Sequence, residues 1–499
     1  MKVKFTAEII DDNGNVVGKR TSEEGGIPSM EEFDLSTKEG FLRDFDSLEK
    51  AVLKARNQIG VAITDEILDG TLKKNCMPRN RERKTEVESE LGRIPVSVLN
   101  DMAQSIQPKE RLYSTSYLQL SCKLCTKLSY RDAAEMRNLF QHRDVNETVK
   151  LRTFSDCVGR IGDQISKELE KTTGRILKLY GFDSETGLPM EGVRLSSNIT
   201  SPVILEQTEA DRQSLSGVMD TVNAFRDEKI PFTAEELDME SAPSECVYVS
   251  IDDIGVKHQK DSRSPDAEKG AKYVEHTVIH IQHGQGVYVL TACGMKNAMR
   301  SMLAFLIFNG LLQNRLVFFT DGARNIKSSI EEMFSFHPYT VILDWYHLKK
   351  KCQELLSMAM KGRDARNNTL EKLLRILWVG DVKRAVSYLE SLPASIIKNQ
   401  TWLDEQINYL KRKEYSITCY AVRAGLGLRN SSNPVEKEND ILVARRQKHN
   451  GMSWSKHGSS ALATIEMIYQ NGYEDIWFRY GRISFVMPKK ERDSLNLCA

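Results

Sequence analysis

Val247-Tyr-Val-Ser-Ile-Asp252 and Leu316-Val-Phe-Phe-Thr-Asp321 are the two stretches of sequence that decide the fold. Each is a run of β-branched, aliphatic and aromatic residues that ends in an aspartate, which predicts a strand with a carboxylate at its end. Side chains alternate between the two faces of a strand, so Asp252 shares the face of Tyr248 while Asp253 points away. Strand ends in α/β sheets are where ligands bind. Both terminal aspartates are therefore candidate functional residues; the alternative for each is that it only caps the turn or helix that follows.

The segments around these stretches complete a mixed sheet. Between residues 247 and 344 the sequence predicts three strands, a helix near 297–309, a strand, a helix near 325–334 and a final strand. From 345 to about 414 the pattern is helical and nearly free of glycine, and a Gly/Ser/Asn-rich loop then leads into the last helices. The expected architecture is a mixed α/β sheet followed by a helical segment.

The N-terminal part of the chain has a different pattern. Residues 3–21 form two short runs around Asn13-Gly14, a dipeptide typical of tight hairpin turns. Residues 41–68 and 96–104 have helical spacing with charged faces. We therefore expect a short hairpin followed by helices.

Residues 128–162 have the layout of a helix-turn-helix. A short helix from Tyr130 to Phe140 precedes a polar turn, and a second helix is expected to begin near Asn146, whose side chain is suited to capping it. Any all-helical domain contains such pairs, so the pattern alone also allows a purely structural role.

Composition limits the class of protein. Lys and Arg total 70 against 69 Asp and Glu, so any nucleic-acid binding depends on where the basic residues cluster rather than on their sum. The nine cysteines, odd in number and scattered, favour a reducing interior over a disulfide framework. The N-terminus lacks the layout of a signal peptide, and no apolar stretch is long enough to span a bilayer. We expect a cytoplasmic protein with no membrane partner.

A third acid, Glu436, stands near the start of one of the last helices. Asn433 as the N-cap, Pro434 as the first helical residue and Glu436 as the third would make a variant of the capping box, and capping alone would explain the glutamate. The three acids are separated by 321 − 252 = 69 and 436 − 321 = 115 residues. They share a role only if the fold brings them together.

The order of these features resembles the RNase H-like DDE transposases. It is most similar to the bacterial insertion-sequence transposases of the ISLre and ISKra types, which are related to the Mutator and hAT groups, and the resemblance extends from Leu128 to Tyr469. The motifs that carry it are weak singly and specific in this order and spacing: Ser129-Tyr130-Arg131-x-Ala133-Ala134, Ile251-Asp252, Thr320-Asp321-Gly322, Asp344-Trp-Tyr-His347, Val435-Glu436 and Arg446-x-Lys448-x-x-Gly451-Met452-x-Trp454-Ser455. In that family a glycine often follows the first aspartate, whereas this chain has Asp253 there; strand parity favours Asp252 as the functional residue.

The resemblance implies an α/β RNase H-like catalytic domain with an all-α insertion, preceded by mainly α-helical DNA-binding regions and a short N-terminal hairpin. Asp252, Asp321 and Glu436 would be the catalytic residues and would hold Mg²⁺ or Mn²⁺, because carboxylates suit hard divalent ions and two such ions serve phosphoryl transfer. Asp344 and His347, three residues apart at a helix start, would support the site. The alternative is that Asp344 is an N-cap and His347 an ordinary polar residue.

Candidate DNA contacts are basic and aromatic residues in two segments, Arg445, Arg446, Lys448 and Trp454 after the third acid, and Tyr130 and Arg131 in the helix-turn-helix. Basic side chains neutralise phosphates, and an aromatic ring stacks on an unpaired base. The alternative for the first segment is an exposed helix end with Trp454 in the core.

The predicted domains are an N-terminal hairpin and helical region (1–105), a helix-turn-helix-like DNA-binding domain (106–180), a connector (181–245), a first part of the RNase H-like core (246–345), a helical insertion (346–425) and a last part of the core with a C-terminal tail (426–499). The expected function is that of a transposase, which cleaves DNA at the ends of its own insertion element and transfers the strand to target DNA. Its partners would be double-stranded DNA and at least one further copy of the chain, and when bound to DNA it would be associated with the nucleoid. The alternatives are a nuclease of the same fold without strand transfer and a non-catalytic DNA-binding protein derived from a transposase.

Overall fold

The computed structural model describes residues 1–75, 79–99, 112–141, 148–203, 208–237, 239–240, 243–259, 272–449 and 451–488. The chain forms two compact units. One consists of Met1–Arg160 with Phe478–Tyr480, and the other of Ile161–Trp477 with Gly481–Ala499. Within the described ranges, no helix is both long enough and apolar enough to cross a membrane.

The first unit begins with a β-hairpin, as the Asn13-Gly14 pair predicts. Strands β1 (Val3–Ile10) and β2 (Val16–Glu24) pair antiparallel. In the turn between them, the carboxylate of Asp11 accepts hydrogen bonds from the backbone N–H groups of Asn13 and Asn15, at 2.9 and 2.8 Å. Gly14 has a φ of 84°, which a residue with a side chain adopts only at a cost.

A long helix and a small sheet follow the hairpin. Helix α1 spans Lys38–Lys74, and β3 (Arg79–Ser89), β4 (Gly92–Leu99) and β5 (Leu112–Tyr113) form a sheet of order β4-β3-β5. The helix predicted over 96–104 is therefore wrong as far as residue 99, and residues 100–104 lie outside the described ranges. Ile94, Val96 and Val98 alternate with other residues, which is the two-residue period of a strand.

Three helices follow in sequence: α2 (Thr115–Lys127), α3 (Tyr130–Phe140) and α4 (Leu151–Leu179). Helix α4 belongs to the first unit as far as Arg160 and to the second unit from Ile161. The hydroxyl of Ser129 caps α3 by accepting the N–H of Asp132. The side-chain amide of Asn138 bridges to the next helix, since it exchanges hydrogen bonds with both the backbone C=O and N–H of Val149. Helix α4 begins later than predicted, and Asn146, the expected cap, lies outside the described residues.

The second unit contains a five-stranded sheet of order β10-β9-β6-β7-β8. Its strands are β6 (Val247–Lys257), β7 (Tyr273–His283), β8 (Gly286–Ala292), β9 (Leu316–Thr320) and β10 (Tyr339–Leu343). Strands β6, β7 and β8 run antiparallel, whereas β9 lies parallel to β6 and β10 parallel to β9. Parallel pairing requires crossover connections, and the helices Met295–Phe308 and Arg324–Met333 lie in those connections.

The helices of the second unit lie before, within and after the sheet in sequence. They are α5 (Ser197–Thr200), α6 (Glu209–Phe225), α7 (Met295–Phe308), α8 (Arg324–Met333), α9 (Trp345–Ala359), α10 (Arg363–Trp378), α11 (Val382–Glu390), α12 (Gln400–Lys413), α13 (Tyr420–Gly425), α14 (Asn433–Asn439), α15 (Arg445–Gln447), α16 (Lys456–Gln470) and α17 (Glu474–Tyr480). A π-helical turn, Asp440–Ala444, connects α14 to α15.

One face of the sheet is covered by the helices that follow β10. Tyr248 of β6 and Phe319 of β9 belong to a buried apolar cluster with residues of α9 to α13, such as Leu348 and Leu410. Because side chains alternate along a strand, Asp252 lies on the face of Tyr248. The helices therefore cover the sheet up to the point where the two aspartates stand.

Candidate functional site

Asp252 and Asp321 follow equivalent positions of two neighbouring parallel strands. The pairing of β6 with β9 extends to Ser250 and Phe319, and each aspartate comes two residues after that last pair. Strand parity and parallel pairing therefore bring the two carboxylates to the same edge of the sheet on the same face.

The carboxylate of Asp252 is held by two hydrogen bonds. Its Oδ1 accepts the backbone N–H of Asp253 at 2.9 Å, and its Oδ2 accepts the side-chain Nδ2–H of Asn439 at 2.7 Å. Burial raises the pKa of Asp252 to about 6 from 3.8, and the negative charge of Asp321 contributes to the same shift. A carboxyl group that is both buried and next to a like charge is the arrangement that raises a pKa most effectively.

Asp253 has different neighbours, on the opposite face of β6. The hydroxyl of Thr277 donates to its Oδ1 at 2.6 Å, and the side-chain amide of Asn325 donates to its Oδ2 at 2.8 Å. Its side chain thus serves as an acceptor for a neighbouring strand and for helix α8. Of the two adjacent aspartates, Asp252 is the one that shares its face with Asp321.

Asp321 stands in a close turn after β9. Its Oδ1 accepts the N–H of Ala323 at 2.7 Å, so the turn-capping role considered for this residue is present. Gly322 has a φ of 83°, and a Cβ at this position would lie 2.8 Å from Cδ1 of Leu343. The ammonium group of Lys413 donates to the carbonyl of Gly322 at 2.6 Å. The close turn requires glycine, and it fixes the backbone that carries Asp321.

Asp344 and His347 form a linked pair at the start of α9. Asp344 is completely buried and caps the helix by accepting the N–H of His347 at 2.9 Å, as the capping alternative predicts. Burial opposes its ionisation, yet hydrogen bonds from His347 and Ser432 hold the pKa of Asp344 below its usual value. The Asp344 carboxylate in turn raises the pKa of His347, with Asp321 and Glu436 contributing, because a cation is stabilised among anions. His347 is therefore held in its charged form over a wider pH range than an ordinary histidine.

Glu436 faces this histidine from α14. The Oε1 of Glu436 lies 3.8 Å from the Nε2 of His347, and the Nδ1 of His347 lies 3.2 Å from the Oδ1 of Asp344. The predicted capping box is wrong, because the N-cap is Ser432 rather than Asn433 and no side chain caps the helix. Capping therefore does not account for Glu436, whose carboxylate points towards the histidine.

The fold thus brings the predicted acids Asp252, Asp321 and Glu436 into one electrostatic network, but it does not place them in a geometry that coordinates a metal ion. Asp252 and Asp321 influence each other directly, and His347 interacts with Asp321 and Glu436. Within the part of the chain that the structure describes, no group of three or more His, Cys, Asp and Glu residues has an arrangement that could hold a metal ion. The donor set nevertheless fits a hard divalent cation in its chemistry, because carboxylate oxygens are its preferred ligands and its charge would offset that of the two neighbouring aspartates.

Sequence reasoning missed Asn439, the amide that contacts Asp252. The signal was available in the spacing, since Asn439 follows Glu436 by three residues and therefore lies on the same helix face. No motif of the resemblance includes this position, and an asparagine near the end of a helix is commonly a terminator.

A cavity lies beside Asp321 and continues along α9. It has a volume of about 300 Å³ and is lined by Asp321, Gly322, Ala323, His347, Lys350, Lys351, Glu354 and Tyr409. A second hollow of about 620 Å³ shares Lys350 and Glu354 with it and is also lined by Tyr346, Lys349, Gln353, Ser357 and Met358. The lysines are exposed, so a positively charged helix face borders the negatively charged site.

Two of the predicted DNA contacts are buried. Trp454 is 6% exposed and donates from Nε1 to the carbonyl of Gln447 at 3.1 Å, and the guanidinium of Arg446, 3% exposed, lies over its ring. The prediction that Trp454 stacks on a base and that Arg446 neutralises a phosphate is corrected accordingly, since both side chains pack inside the protein. Backbone hydrogen bonds of Trp454 with Lys257 and Gln259 explain its position, because they attach the segment to the end of β6.

The other predicted contacts lie at the surface. Arg445 forms an exposed ion pair with Asp440 at 3.2 Å, and Lys448 is exposed. In the first unit, Tyr130 is half-buried at the start of α3 and Arg131 is exposed. Burial alone is therefore compatible with DNA contact for these four residues, which stays a prediction.

The raised pKa of Asp252 predicts a pH-dependent gain in stability for Asp252→Asn. Because the folded-state pKa lies above 3.8, the wild-type protein loses stability as pH rises from about 4 to about 6, whereas the variant does not. A shift of this size corresponds to at most about 3 kcal/mol, and we expect about 2 kcal/mol because the single carbonyl oxygen of asparagine keeps only one of the two hydrogen bonds that the carboxylate accepts. Urea unfolding in the presence of a chelator, at pH 4 and pH 7.5, measures the difference.

A matched control for this prediction is Asp253→Asn. The carboxylate of Asp253 is exposed, lies on the other face of β6 and accepts hydrogen bonds from Thr277 and Asn325, so Asp253→Asn should not reproduce the gain in stability of Asp252→Asn. Equal stability of Asp252→Asn and wild type at both pH values would contradict the raised pKa of Asp252.

Comparison with known proteins adds little to this geometry. No family model matches the chain, and no curated protein matches it. Among solved structures, the chain is similar to the Drosophila P element transposase strand transfer complex, with 10% sequence identity over 57% of this chain and 76% of that chain and a TM-score of 0.18. A TM-score this low supports no conclusion about the fold or the function.

Proposed function

We propose that this chain is a DDE-type DNA transposase, which uses Asp252, Asp321 and Glu436 for metal-dependent phosphoryl transfer. The observation that carries the proposal is that Asp252 and Asp321 stand at the same edge of the sheet, each two residues after the last pair of the parallel strands β6 and β9. Burial and the charge of Asp321 raise the pKa of the half-buried Asp252, in agreement with this placement. Carboxyl groups with a perturbed pKa are typical of functional sites, because stability alone disfavours them, and the neighbouring Asp321 lines a cavity. The sequence motifs of the insertion-sequence transposases occur at the same residues.

The proposed domain is RNase H-like with a helical insertion. Two features of the second unit support it. The antiparallel strands β6, β7 and β8 are followed by β9, which lies parallel beside β6, and by β10, which lies parallel beside β9. Helices α9 to α13 then separate β10 from the helix of Glu436. Strand β6 carries the first acid, Asp252, the second, Asp321, directly follows β9, and helix α14 carries the third, Glu436.

Mg²⁺ or Mn²⁺ would be held by Asp252, Asp321 and Glu436. When bound, the ions would activate the attacking oxygen, stabilise the leaving oxygen and neutralise charge on the phosphate. The protein's own contribution is to position the acids. Asn439 and the N–H of Asp253 fix Asp252, the N–H of Ala323 fixes Asp321, and His347 faces Glu436.

His347 is proposed as a positioning and charge-balancing residue rather than a general base. The Asp344 carboxylate raises the pKa of His347, which favours the protonated imidazole, and a protonated imidazole cannot accept a proton. Its Nε2 lies 3.8 Å from Oε1 of Glu436, so the charged imidazole attracts that carboxylate. Asp344, buried and fixed by the backbone N–H and hydroxyl of Ser432, holds the imidazole from the other side.

The proposed substrate is DNA, whose phosphates would lie along α9. Lys349 and Lys350 are exposed and line the hollows that continue from Asp321. Each lysine that neutralises a phosphate releases counterions, which makes binding dependent on salt.

Replacement of both Lys349 and Lys350 with alanine is expected to lower the affinity for DNA and to make that affinity less dependent on salt. The slope of log affinity against log salt should become shallower by about 2, that is by about 1 for each phosphate that a lysine no longer neutralises. Fluorescence anisotropy of labelled duplex DNA at salt concentrations between about 50 and 200 mM measures the slope, because the affinity of a protein that contacts several phosphates falls steeply over this range. Lys383→Ala with Lys398→Ala, which removes two exposed lysines of other segments, should leave it unchanged; an equal effect of both pairs would contradict a specific path along α9.

Strand transfer distinguishes the proposed activity from its alternatives. The purified full-length protein is incubated with Mg²⁺ and a plasmid that carries its coding sequence with the native flanking DNA, and products are sequenced. We expect cleavage at both flanks and joined products in which a flank is linked to target DNA. Cleavage without joined products would indicate a nuclease of the same fold, and binding without cleavage would indicate a non-catalytic DNA-binding protein. Joining of two ends would require at least a dimer on the DNA.

A further inference from the structure

Asn439 lies one helical turn after Glu436 and faces the first acid. It is 6% exposed, and its side-chain amide donates to Oδ2 of Asp252 at 2.7 Å. Residues three apart on a helix share a face, so α14 presents a carboxylate and an amide to the same edge of the sheet. Helix α14 thus contributes the third acid, Glu436, and also contacts the first acid, Asp252, through Asn439.

The helix changes its geometry directly after Asn439. The next five residues, Asp440–Ala444, form a π-helical turn, in which the N–H of Arg445 donates to the carbonyl of Asp440. A π turn inserts an additional residue and is less stable than regular α-helix, and such turns are frequent at functional sites. Here it allows the chain to bury Leu442 and Val443 while Asn439 keeps its contact with Asp252.

Other buried side chains hold α14 independently of Asn439, and among them Val435 is completely buried. The carboxylate of Glu438, 5% exposed, lies 3.8 Å from the Nδ1 of His280, and Gln470 of α16 donates to it at 3.3 Å. Because these contacts hold the helix, removal of the Asn439 amide should release the carboxylate of Asp252 without displacing α14.

We propose that Asn439 is a positioning residue that orients the Asp252 carboxylate for divalent-metal binding. The inference rests on the proposed function, since it assumes that Asp252 is a metal ligand. The two hydrogen bonds to Asp252, one to each oxygen, fix the plane of the carboxylate. Without the amide, the carboxylate turns away from Asp321, because like charges repel and water competes for it. Partners of this kind orient ligating carboxylates, and their loss weakens metal binding by about 10–100-fold.

The test measures Mn²⁺ binding to the full-length protein without DNA, from the electron paramagnetic resonance signal of free Mn²⁺. Asn439→Ala is expected to weaken binding by about 10–100-fold, and Asn439→Gln, which keeps the amide, should recover part of the loss. Asp252→Ala marks the loss of the ligand itself. The matched control is Asn471→Ala, because Asn471 is also a buried asparagine whose amide makes two hydrogen bonds, both to the backbone of Val289 and none to the acids. It should bind Mn²⁺ as wild type does.

Each outcome decides the inference. Wild-type affinity in Asn439→Ala overturns it, as does weakening by the same factor in Asn471→Ala. Mn²⁺ binding that is absent from wild type, or that survives Asp252→Ala unchanged, also overturns it, because Asp252 would then not be a ligand. If Asn439→Ala does not fold, Asn439→Ser, whose side chain is too short to reach the carboxylate, is measured with the same expectation. If the expected pattern is found but wild type neither cleaves nor joins DNA, the proposed function fails while the role of Asn439 remains.

Discussion

Asp321→Asn is expected to abolish metal-dependent DNA cleavage, with a decrease in rate of roughly a thousandfold or more. Metal ions contribute several kcal/mol to phosphoryl transfer, and each 1.4 kcal/mol corresponds to a factor of ten. Asparagine removes one negative ligand while its carbonyl oxygen can still accept the N–H of Ala323. The turn after β9 should therefore persist, and DNA binding should remain within about a factor of two, since binding depends on basic residues elsewhere.

A matched control for this variant is Asp183→Asn. Asp183 also stands in a turn, where its Oδ1 accepts the N–H of Thr186 at 2.7 Å, but it lies outside the acidic network. Cleavage of end-containing DNA with Mg²⁺ or Mn²⁺ should be as in wild type for this control and absent for Asp321→Asn. Cleavage retained in Asp321→Asn would show that the carboxylate is not a ligand.

Arg423→Met is expected to destabilise the second unit by about 4 kcal/mol. The guanidinium of Arg423 donates to both oxygens of Glu240 at 2.7 and 2.9 Å, and both side chains are almost completely buried. Arg423 also donates to the carbonyl of Arg429, in the loop that leads to α14. Removal of one partner leaves a buried charge without compensation, which typically costs about 3–5 kcal/mol.

The double variant Glu240→Leu with Arg423→Met separates this mechanism from a loss of packing. Replacement of a whole buried ion pair by apolar residues is often nearly neutral, so the double variant should recover most of the stability in urea unfolding. The exposed pair Arg412 and Glu405 provides a control, because Arg412→Met should cost at most about 1 kcal/mol. Equal destabilisation of the single and double variants would contradict the explanation by an isolated buried charge.

Local sequence patterns predicted the elements and the candidate acids at strand ends. Runs of β-branched and aromatic residues place β6 and β9, and the parity of β6 separates Asp252 from Asp253. Both depend on short-range rules, the two-residue period of strands and the burial of apolar side chains. The structure describes strands at these positions, with the two aspartates on the same edge.

Predictions that depended on long-range packing were less successful. The sequence predicted that Glu436 belongs to a capping box. In the structure the N-cap is Ser432, and its hydroxyl donates to Asp344, 88 residues away, instead of capping the helix. Trp454 and Arg446 had the composition of a DNA contact, but backbone pairing with the end of β6 draws the tryptophan into the interior. A local pattern does not show which partner a side chain reaches, because that depends on the three-dimensional packing.

Crystals of the wild-type protein grown with Mn²⁺ and duplex DNA test the central claim most directly, because Mn²⁺ is located by its anomalous scattering. We expect Mn²⁺ bound by the carboxylates of Asp252 and Asp321, with Glu436 moved towards the ion and Asn439 still donating to Asp252. Absence of Mn²⁺ from these carboxylates, or its binding only at other residues, would contradict the proposed site.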